Sequence, residues 1–535
     1  MIKYRIGKCI VLVLLLLNCS NTKLFAQANP DNFAEMVDFM PPPPNASSII
    51  KNGMLSVNKN TGSPNVNIPL YTLKGQKLST AVSLSYNSTG IKVDEVAGRA
   101  GMGWALNAGG VVTRTLRGSP DESNTRITPP ATPGNDCNTY TFLDRADRYY
   151  APGSGYDAQP DLFNFNMNGH SGSFVFDGSG AAMAVNPEQF KIESNFAGGA
   201  TWNFRITTND GIIYTFGGDD ATEKSKRMSS CGRAINDSLA NAWYLTEIKH
   251  PNGETITFTY TKLAYKYDSG ITETKTWASG CGVPTNPDPC MHVVGTRGEL
   301  LTTITNNFTT ISFSYISRSD VGDKLVSEIS IKAAATPGVT IGKFILTYTE
   351  ETAAAFSAVT VMAGVSGIAP TKTPYLTGLK EESQGAEYYR QHYFSYYEPN
   401  QRPPRCSYAQ DHWGYFNGIN NSTLIPPPAD PVTASNIPTA NANRSPSESS
   451  ARKGLLKTIT YPTGGTETIE YGINKFYNTF TSSHQEVGGL RVTKITTQNP
   501  PESPIVKKYY YGQFATMDQS SLLSAPNPVY EKITG

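Results

Sequence analysis

Charged side chains, cysteines and long apolar segments are all scarce in this 535-residue chain. Asp, Glu, Lys and Arg make up only 17% of the residues and the formal net charge is +1, which argues against a nucleic-acid-binding surface. The seven cysteines include no CxxC pair and the six histidines are scattered, so no zinc site is predicted. Beyond residue 26, no apolar run is long enough to cross a bilayer as a helix.

The N-terminal residues have the composition of a secretory signal peptide. Basic residues precede a short apolar segment at residues 9–17, and Ala26 places a small residue before Gln27. This arrangement predicts a signal peptide at residues 1–26, cleaved after Ala26, and a secreted or outer cell-surface protein. An alternative is acylation of Cys19, which would hold the mature protein on a membrane.

Cleavage would leave an odd number of cysteines, and therefore at least one free thiol or intermolecular bond: Cys137, Cys231, Cys281, Cys290 and Cys406. We predict a disulfide between Cys281 and Cys290, because the loop between them is rich in turn-forming residues and its closure costs little strain. Simple packing in the interior is one open alternative for Cys406.

Glycine, proline, threonine and tyrosine are abundant, as strands and their turns require. Apolar residues alternate with period two at Val66, Ile68 and Leu70, and similar runs follow between glycine-rich turns. This pattern predicts an all-β fold, an antiparallel meander of stacked hairpins that forms an incomplete β-shell or sandwich-like sheets. Residues 238–244 are the one candidate for a short helical turn.

Proline-rich and polar runs divide the chain into segments. Residues 27–64 contain four consecutive prolines and are predicted to form a stiff spacer. Residues 425–453 offer little to bury and are predicted to form a linker or solvated loop. The rest is predicted to form an N-terminal β domain at 65–220, a hairpin domain with insertions at 221–424, and a truncated C-terminal hairpin segment at 454–535.

Two distant segments, residues 245–260 and 456–471, match without a gap. Each starts with leucine, has isoleucine three positions later, places proline two residues before a glycine, and ends in tyrosine. Proline favours the first corner of a type I turn and the glycine supplies a left-handed residue. Each segment therefore predicts one β-hairpin, with Tyr260 and Tyr471 in equivalent positions. Looser, unevenly spaced copies are residues 301–315, 329–348, 376–396 and 492–510.

The hairpin unit resembles the repeat of the RHS/YD-repeat family, in which a leucine-led strand, a Pro-Asp/Asn-Gly turn and a Thr/Tyr-rich strand recur. Four segments resemble the N-terminal region of large secreted members: residues 64–122, DHWGYFNG at 411–418, GLLKTITYPTGG at 454–465, and GGLRV at 488–492. The resemblance implies a β-shell, which in the family can enclose a C-terminal effector, often a toxin.

The chain departs from the family repeat in one respect. Thr261 follows Tyr260 and Gly472 follows Tyr471, so the Tyr-Asp pair is missing from both hairpins. We interpret them as lead-in hairpins and expect that this chain does not deliver a toxin by itself. Residues 529–535 alternate as a strand does and predict an unpaired edge, so we expect the incomplete shell to associate there or to require a partner.

Two glycine-containing segments superficially resemble enzyme motifs. GHSGS at residues 169–173 has its second glycine one position too early for a nucleophile elbow and lies between predicted strands. GMG at residues 101–103 lacks the third glycine of a dinucleotide-binding fingerprint. We expect the latter glycines to let Trp104 pack against the backbone.

Acidic and aromatic clusters offer two further alternatives. Asp219, Asp220 and the acidic residues within 157–161 lack the spacing of a calcium loop. The tryptophans are expected to pack in the core or across strands, and a sugar-stacking platform is the alternative; they are Trp202, Trp243, Trp277 and Trp413.

These observations predict no catalytic, cofactor-binding or metal-binding residue, and a protein that is not an enzyme. We expect a structural β-shell module that presents or partly encloses other material. Its expected partner is a protein, or downstream RHS repeats, that completes the shell. A surface adhesin or carbohydrate-binding module with a surface glycan as ligand is the alternative, and a secreted hydrolase ranks third.

Overall fold

The computed structural model describes residues 55–511 with short gaps at residues 118–119, 123–124, 127–131, 133, 148–155, 158, 186–188, 197–201, 229–237, 275–288, 335–338, 361–366, 387–388, 428–439 and 479–482. The predictions for the signal peptide, for residues 27–54 of the proline-rich spacer and for the terminal strand therefore lie outside the described residues. So do those for Cys231, Cys281 and Trp277. The last part of the predicted spacer is corrected, because Leu55–Val57 forms a strand that pairs with the strand Pro64–Lys74.

The predicted period-two pattern forms strands. In the segment Pro64–Lys74, Val66, Ile68 and Leu70 are buried and the residues between them are exposed. This strand belongs to a first antiparallel sheet with the order β1 (Leu55–Val57), β2 (Pro64–Lys74), β3 (Ser79–Tyr86) and β4 (Trp104–Ala108).

A second, larger antiparallel sheet contains most of the other strands. They are β5 (Gly110–Thr115), β8 (Leu162–Met167), β9 (His170–Phe176), β10 (Ala182–Ala184), β11 (Phe190–Ser194), β12 (Asn203–Thr208), β13 (Ile213–Gly217), β14 (Thr222–Arg227), β15 (Leu239–Lys249), β16 (Thr255–Thr272), β17 (Cys290–Thr305), β18 (Thr309–Ser317), β19 (Lys324–Ala333), β20 (Thr340–Thr352), β21 (Lys372–Ser383), β22 (Tyr389–Tyr396), β23 (Leu456–Thr460), β24 (Thr466–Asn478), β25 (Ser483–Gln498) and β26 (Ile505–Lys508). A short parallel pair is β6 (Thr125–Arg126) with β7 (Tyr156–Asp157).

Helices are few among the described residues. They are α1 (Cys137–Asp147), α2 (Glu448–Ala451) and the short 3-10 helices Gln384–Ala386 and Pro399–Gln401. No helix in the described part of the chain is both long and apolar enough to span a membrane. The predicted fold class, all-β with an antiparallel meander of hairpins, is confirmed.

Consecutive strands pair from β15 through to β26, as a meander requires. The sheet also closes a ring, because β14 pairs with both β15 and β17. Strands β5 and β13 also pair with β15 and tie the N-terminal strands to the meander. These pairings cross residue 220, where we predicted a boundary, and the division into domains stays a prediction.

The predicted helical turn at residues 238–244 is wrong, because these residues belong largely to β15. Its alanines Ala240 and Ala242 are buried, and Ala242 pairs with Thr113 of β5. Small side chains are used here for close strand packing, so their helix propensity is overridden by tertiary contacts.

Residues 440–453, which lie in the predicted linker, are packed. The Ser447 hydroxyl accepts from the Ser450 backbone nitrogen at the N-terminus of α2, which satisfies one of the free helical N–H groups. Ala440 and Ala442 are buried. Polar side chains of this stretch therefore form hydrogen bonds with backbone groups, and its small alanine side chains are buried.

Candidate functional site

The hairpins at residues 245–260 and 456–471 have the same turn, as predicted. Gly253 and Gly464 have φ of 94° and 86°, the left-handed region that glycine adopts without strain. The nitrogen of Gly253 donates to the oxygen of His250, and that of Gly464 to Tyr461, both at 2.9 Å.

The terminal tyrosines are equivalent as well. The hydroxyl of Tyr260 donates to the backbone oxygen of Leu245 at 2.7 Å, and that of Tyr471 donates to Leu456 at 2.9 Å. Both pairs are 15 residues apart, and both rings contact the same hydrophobic core. Each tyrosine thus connects the end of its hairpin to the residue with which the hairpin begins, which confirms the predicted repeat.

Further hairpins contain the same bond. At 2.6 to 2.7 Å, the hydroxyls of Tyr315, Tyr348, Tyr396 and Tyr511 donate to the backbone oxygens of Leu301, Val326, Leu376 and Val492, respectively. We call these six hydroxyl donors, from Tyr260 to Tyr511, the tyrosine series. Two predicted copies are corrected: one begins at Val326 instead of Ile329, and one ends at Tyr511 instead of Tyr510.

A β-bulge accompanies the series. The strand register shifts immediately before Tyr260, Tyr315, Tyr348, Tyr396 and Tyr471. The residue opposite each tyrosine is the first residue of the next hairpin, for example Leu301 opposite Tyr260. Every first residue from Leu301 to Val492 therefore pairs with one tyrosine and accepts from the next, so successive hairpins are connected in a continuous order.

Threonine satisfies the backbone at several bulges. A bulge leaves one residue out of the ladder and a carbonyl in need of a donor. The hydroxyl of Thr302 donates to the oxygen of Thr259 at 3.0 Å, and Thr493 donates to Glu470 at 3.2 Å. The threonine that follows the first leucine or valine of a hairpin therefore supplies the hydrogen-bond donor that the bulge requires.

The segments that carry the family resemblance meet in the fold. A Cβ on Gly90 would lie 2.8 Å from the ring of Tyr415, and one on Gly488 would lie 2.6 Å from Trp413. The backbone nitrogen of Leu456 donates to the Tyr86 hydroxyl at 3.0 Å. The glycines at these positions are needed because aromatic rings of the 411–418 segment approach the backbone.

The GMG segment is closely packed, and the predicted contact of Trp104 with its backbone stays a prediction. A Cβ on Gly103 would lie 2.4 Å from the ring of Tyr86, and the Trp104 ring lies 5.4 Å from that of Tyr86. The indole nitrogen of Trp104 donates to the Tyr396 hydroxyl at 2.9 Å. Gly103 therefore makes room for the Tyr86 ring, whereas a Cβ on Gly101 would lie 2.9 Å from the backbone nitrogen of Leu376.

A buried ionic network, the arginine cluster, consists of Arg318, Arg405, Asp268 and Asp320. Arg405 makes a bidentate contact with Asp268 at 2.8 and 2.9 Å, and Arg318 makes one with Asp320 at 2.6 Å for both bonds. Arg405 also lies 3.4 Å from Asp320. Both carboxylates are fully buried, so the arrangement holds β16, the β18–β19 connection and the 405 segment together.

Cys406 lies beside this cluster as a buried, free thiol. Its backbone φ is 62°, and its nitrogen donates to a carboxyl oxygen of Asp94 at 2.7 Å. Burial raises the pKa of the thiol, so it does not become a thiolate nucleophile at neutral pH. Interior packing is the alternative that the structure supports for Cys406.

A cavity of about 510 Å³ lies next to strands β14 and β17, which pair with each other. We call it the tyrosine cavity, because its lining includes Tyr244, Tyr260, Tyr265, Tyr267 and Tyr315. Its lining also contains charged residues from four elements, namely Arg99, Glu223, Glu299, Arg318 and Asp323. The combination of aromatic faces with buried charge is typical of a ligand pocket.

The carboxyl groups of this cavity differ in their partners. Arg99 donates to both oxygens of Asp323 at 3.1 Å, and Glu223 accepts from the Tyr244 hydroxyl at 3.0 Å. Glu299 is 1% exposed, and neither of its carboxyl oxygens has a hydrogen-bond partner. Burial raises the pKa of Glu223 and raises that of Glu299 to about 7.

The acidic residues considered for calcium have other partners. Asp161 pairs with Arg114, whose Nε donates to it at 2.8 Å. Asp219 and Asp220 contact Lys262 at 2.7 and 3.0 Å. Within the described ranges, no group of three or more potential metal-ligating side chains converges.

The remaining candidates occupy structural positions. Trp202 and Trp243 are buried, with ring centroids 4.8 Å apart, so both belong to the core as expected. In the GHSGS segment, Asn168 and Gly169 form the turn between β8 and β9, and Ser171 lies exposed on β9. Cys290 is in a disulfide, and its predicted bond to Cys281 stays a prediction.

Sequence reasoning missed the tyrosine cavity. Its charged residues are far apart in the sequence and belong to different strands, so no spacing brings them together. One sign was present, since Glu299 immediately precedes Leu300 and Leu301 in the sequence of β17. A charged residue in such a stretch is costly to bury without a partner.

No protein-family model and no curated protein matches the chain. Among solved structures, TcdB2-TccC3 aligns at 11% identity and a TM-score of 0.34, over 64% of this chain and 17% of that chain. The Photorhabdus luminescens Tc holotoxin pore with the TccC3-D651A mutation aligns at 11% and 0.33, over 82% and 20%. The N-terminal domain of effector protein SpvB from Salmonella typhimurium strain LT2 aligns at 12% and 0.29, over 59% and 98%. Likenesses at these scores carry no argument about this chain.

Proposed function

We propose that this chain is a structural module of a secreted β-shell, that it is not an enzyme, and that a partner polypeptide extends its hairpins at β26. The observation that carries the proposal is the tyrosine series. In each earlier hairpin, the tyrosine that bonds back to the first residue also pairs with the first residue of the next hairpin. Such a series builds a continuous wall and can be extended by any strand of the same type.

The last member of the series, Tyr511, has no strand partner among the described residues. The Tyr511 hydroxyl donates to Val492 at 2.6 Å, but no described strand pairs with it. Strand β26 pairs with β25 on one side, and no other described strand is hydrogen-bonded to it. Ile505 and Val506 of β26 are exposed, and an exposed apolar edge strand favours pairing with another chain.

A labelled peptide tests this extension. The peptide with the sequence of residues 456–471 has the leading leucine and the isoleucine of the repeat, and we expect it to bind the mature protein saturably in fluorescence anisotropy. The control peptide replaces Leu456 and Ile459 with serine and should bind at least tenfold more weakly. The protein variant I505K/V506K adds charge to the edge at exposed positions and should also lose binding. Equal binding of both peptides, or no binding of either, contradicts the proposal.

A further inference from the structure

Another cavity, of about 510 Å³, lies on strands β24, β25 and β26, and we call it the basic cavity. Strand register brings its charged side chains together, because Lys494 pairs with Glu470 on one side and with Lys508 on the other. The adjacent pair, Ile469 with Ile495, is buried, so the three charged residues point away from the core. The charged lining consists of four cations and two carboxylates: Lys475, Arg491, Lys494, Lys508, Glu448 and Glu470.

Arg491 lies on the same face as Lys494 because of a β-bulge. The register shift in this strand pair leaves Thr493 out of the ladder, so residues three positions apart share a face. The residue opposite Arg491 is Gly472, which has no side chain and therefore brings no carboxylate across the strands.

The position of Arg491 is set by packing. A Cβ on Gly62 would lie 2.6 Å from the Cβ of Arg491, so the stem of Arg491 lies close to this backbone. The guanidinium lies 4.6 Å from the centroid of the Tyr511 ring, and the Tyr511 hydroxyl is itself bonded to Val492. Burial lowers the pKa of Arg491, as is expected for a cation that lacks an acidic partner.

The other charged groups of the lining have partners of their own. Lys494 contacts Glu470 at 2.6 Å, and Lys475 lies 3.8 Å from Glu486. Glu448, the second carboxylate of the lining, accepts from a backbone nitrogen at 3.0 Å.

Arg491 and Lys508 are left without an acidic partner. Within the described ranges, neither of them makes an ion pair. Lys508 lies directly opposite Lys494, and like charges at such positions repel each other. A bound anion would relieve this repulsion and would supply the acceptors that both cations lack.

We propose that the basic cavity binds a small organic acid, with Arg491 and Lys508 holding its carboxylate or sulfate group. A planar guanidinium suits bidentate contact with an oxyanion, and Tyr511 covers a face of this guanidinium while its N–H edges stay available. Tyr509 and Tyr510 line the same cavity, and their rings and hydroxyls can contact the body of the ligand. A volume of about 510 Å³ suits a ligand of monosaccharide size or somewhat larger.

This site is independent of the proposed extension at β26. The basic cavity lies on a face of the sheet, whereas the extension uses the edge of β26, so either proposal can fail without the other. The experiments below contain no partner peptide.

Matched ligands test the assignment by isothermal titration calorimetry on the mature protein at neutral pH and low ionic strength, since salt screens such contacts. Glucuronate should bind at least about tenfold more tightly than glucose, which has the same ring and no charge. The sulfate ester of glucose tests the other acidic group. Binding of one acidic sugar assigns the site to its acidic group, and binding of both assigns it to oxyanions of either kind.

Two results overturn the proposal. One is equal binding of glucose and the acidic sugars, or no binding of either acidic sugar. The other is an affinity for acetate as high as that for the acidic sugars, because the cavity would then attract only ordinary counter-ions.

Variants locate the binding. Arg491→Met keeps the stem, Lys508→Met lies at an exposed position, and each should weaken the acidic sugar at least about tenfold. Lys507→Met is the matched control, because it removes the same charge from the next residue of β26, which pairs with Ile495 and does not line the cavity. Circular dichroism verifies folding of each variant. Equal affinities of Lys508→Met and Lys507→Met overturn the assignment, whether or not Arg491→Met folds.

Discussion

The hydroxyl of Tyr471 donates to the backbone oxygen of Leu456 at 2.9 Å, from 15 residues further along the chain. The same bond joins Tyr260 to Leu245 at the same separation. A carbonyl in the interior needs a donor, and its loss costs more than the bond contributes on average. The tyrosine hydroxyl is therefore a determinant of hairpin stability as well as of hairpin order.

Tyr471→Phe removes this hydroxyl and keeps the ring. We expect the free energy of unfolding, measured with urea, to fall by about 1 to 2 kcal/mol, because the buried oxygen of Leu456 loses its donor. Tyr393→Phe is the control, since Tyr393 is 53% exposed and should change stability by less than about 0.5 kcal/mol. Similar effects in the two variants would show that the hydroxyl contributes nothing specific.

Asp268→Asn leaves Arg405 with a buried, unbalanced charge. Breaking a buried ion pair from one side costs about 3 to 5 kcal/mol, and the same loss is expected in urea unfolding here. Lys191→Ala breaks a pair whose side chains are 71% and 44% exposed and should cost less than about 1 kcal/mol. An Asp268→Asn variant as stable as Lys191→Ala would mean that solvent or rearrangement compensates Arg405.

Glu299 should make stability depend on pH. Its pKa rises from the ordinary 4.5 to about 7 on folding, because of burial. The folded state therefore holds the proton more tightly, and stability falls as pH increases from about 4.5 to 7 and then levels off.

Glu299→Gln removes this dependence. Relative to the wild type, it should be about equally stable at pH 4.5 and more stable above pH 7, by on the order of 2 kcal/mol. Thermal unfolding at both pH values measures the difference, which isolates Glu299 from other titrating groups. A pH-independent difference would contradict the raised pKa.

Cys281 is expected to be the partner of Cys290, which is in a disulfide. Peptide mapping by mass spectrometry without reduction should recover the two cysteines in one linked peptide. Cys281→Ser should then lower the free energy of unfolding by roughly 2 to 3 kcal/mol. Recovery of Cys290 linked to Cys231 would replace the predicted pair.

Secretion should yield a mature protein that begins at Gln27, since Ala26 is the small residue that follows the apolar segment. Intact-mass measurement of the exported protein gives the cleavage site. A mass that corresponds to lipid-modified Cys19 as the first residue would instead establish the anchored form. Replacing Ala26 with leucine should move or block cleavage.

Much of the fold was accessible from local sequence. The alternation of Val66, Ile68 and Leu70 gave the face that β2 buries, and the proline and glycine offsets gave the turn at Gly253. These features depend on neighbouring residues, whose geometry is set by side-chain alternation and φ preferences.

Other features depend on residues distant in sequence, and no local pattern contains them. Asp268, Asp320 and Arg405 come together only after the three segments that contain them have folded against one another. The β-bulge moved one repeat start from Ile329 to Val326. The bulge leaves Ser327 out of the ladder, so Val326 pairs with Tyr315, and it is Val326 that accepts from the Tyr348 hydroxyl. Ring closure by β14 likewise joins distant residues, since Lys224 pairs with Arg297.

The direction of the tyrosine bonds bears on how the chain assembles during synthesis. Each hydroxyl binds a residue that is 14 to 22 positions earlier, and the acceptor therefore precedes the donor both in synthesis and in export. Every hairpin can close as soon as its own tyrosine emerges. The hydrogen bond from Cys406 to Asp94 joins residues that are 312 positions apart. It closes a much longer loop than any tyrosine bond does, and we therefore expect it to form after the hairpins.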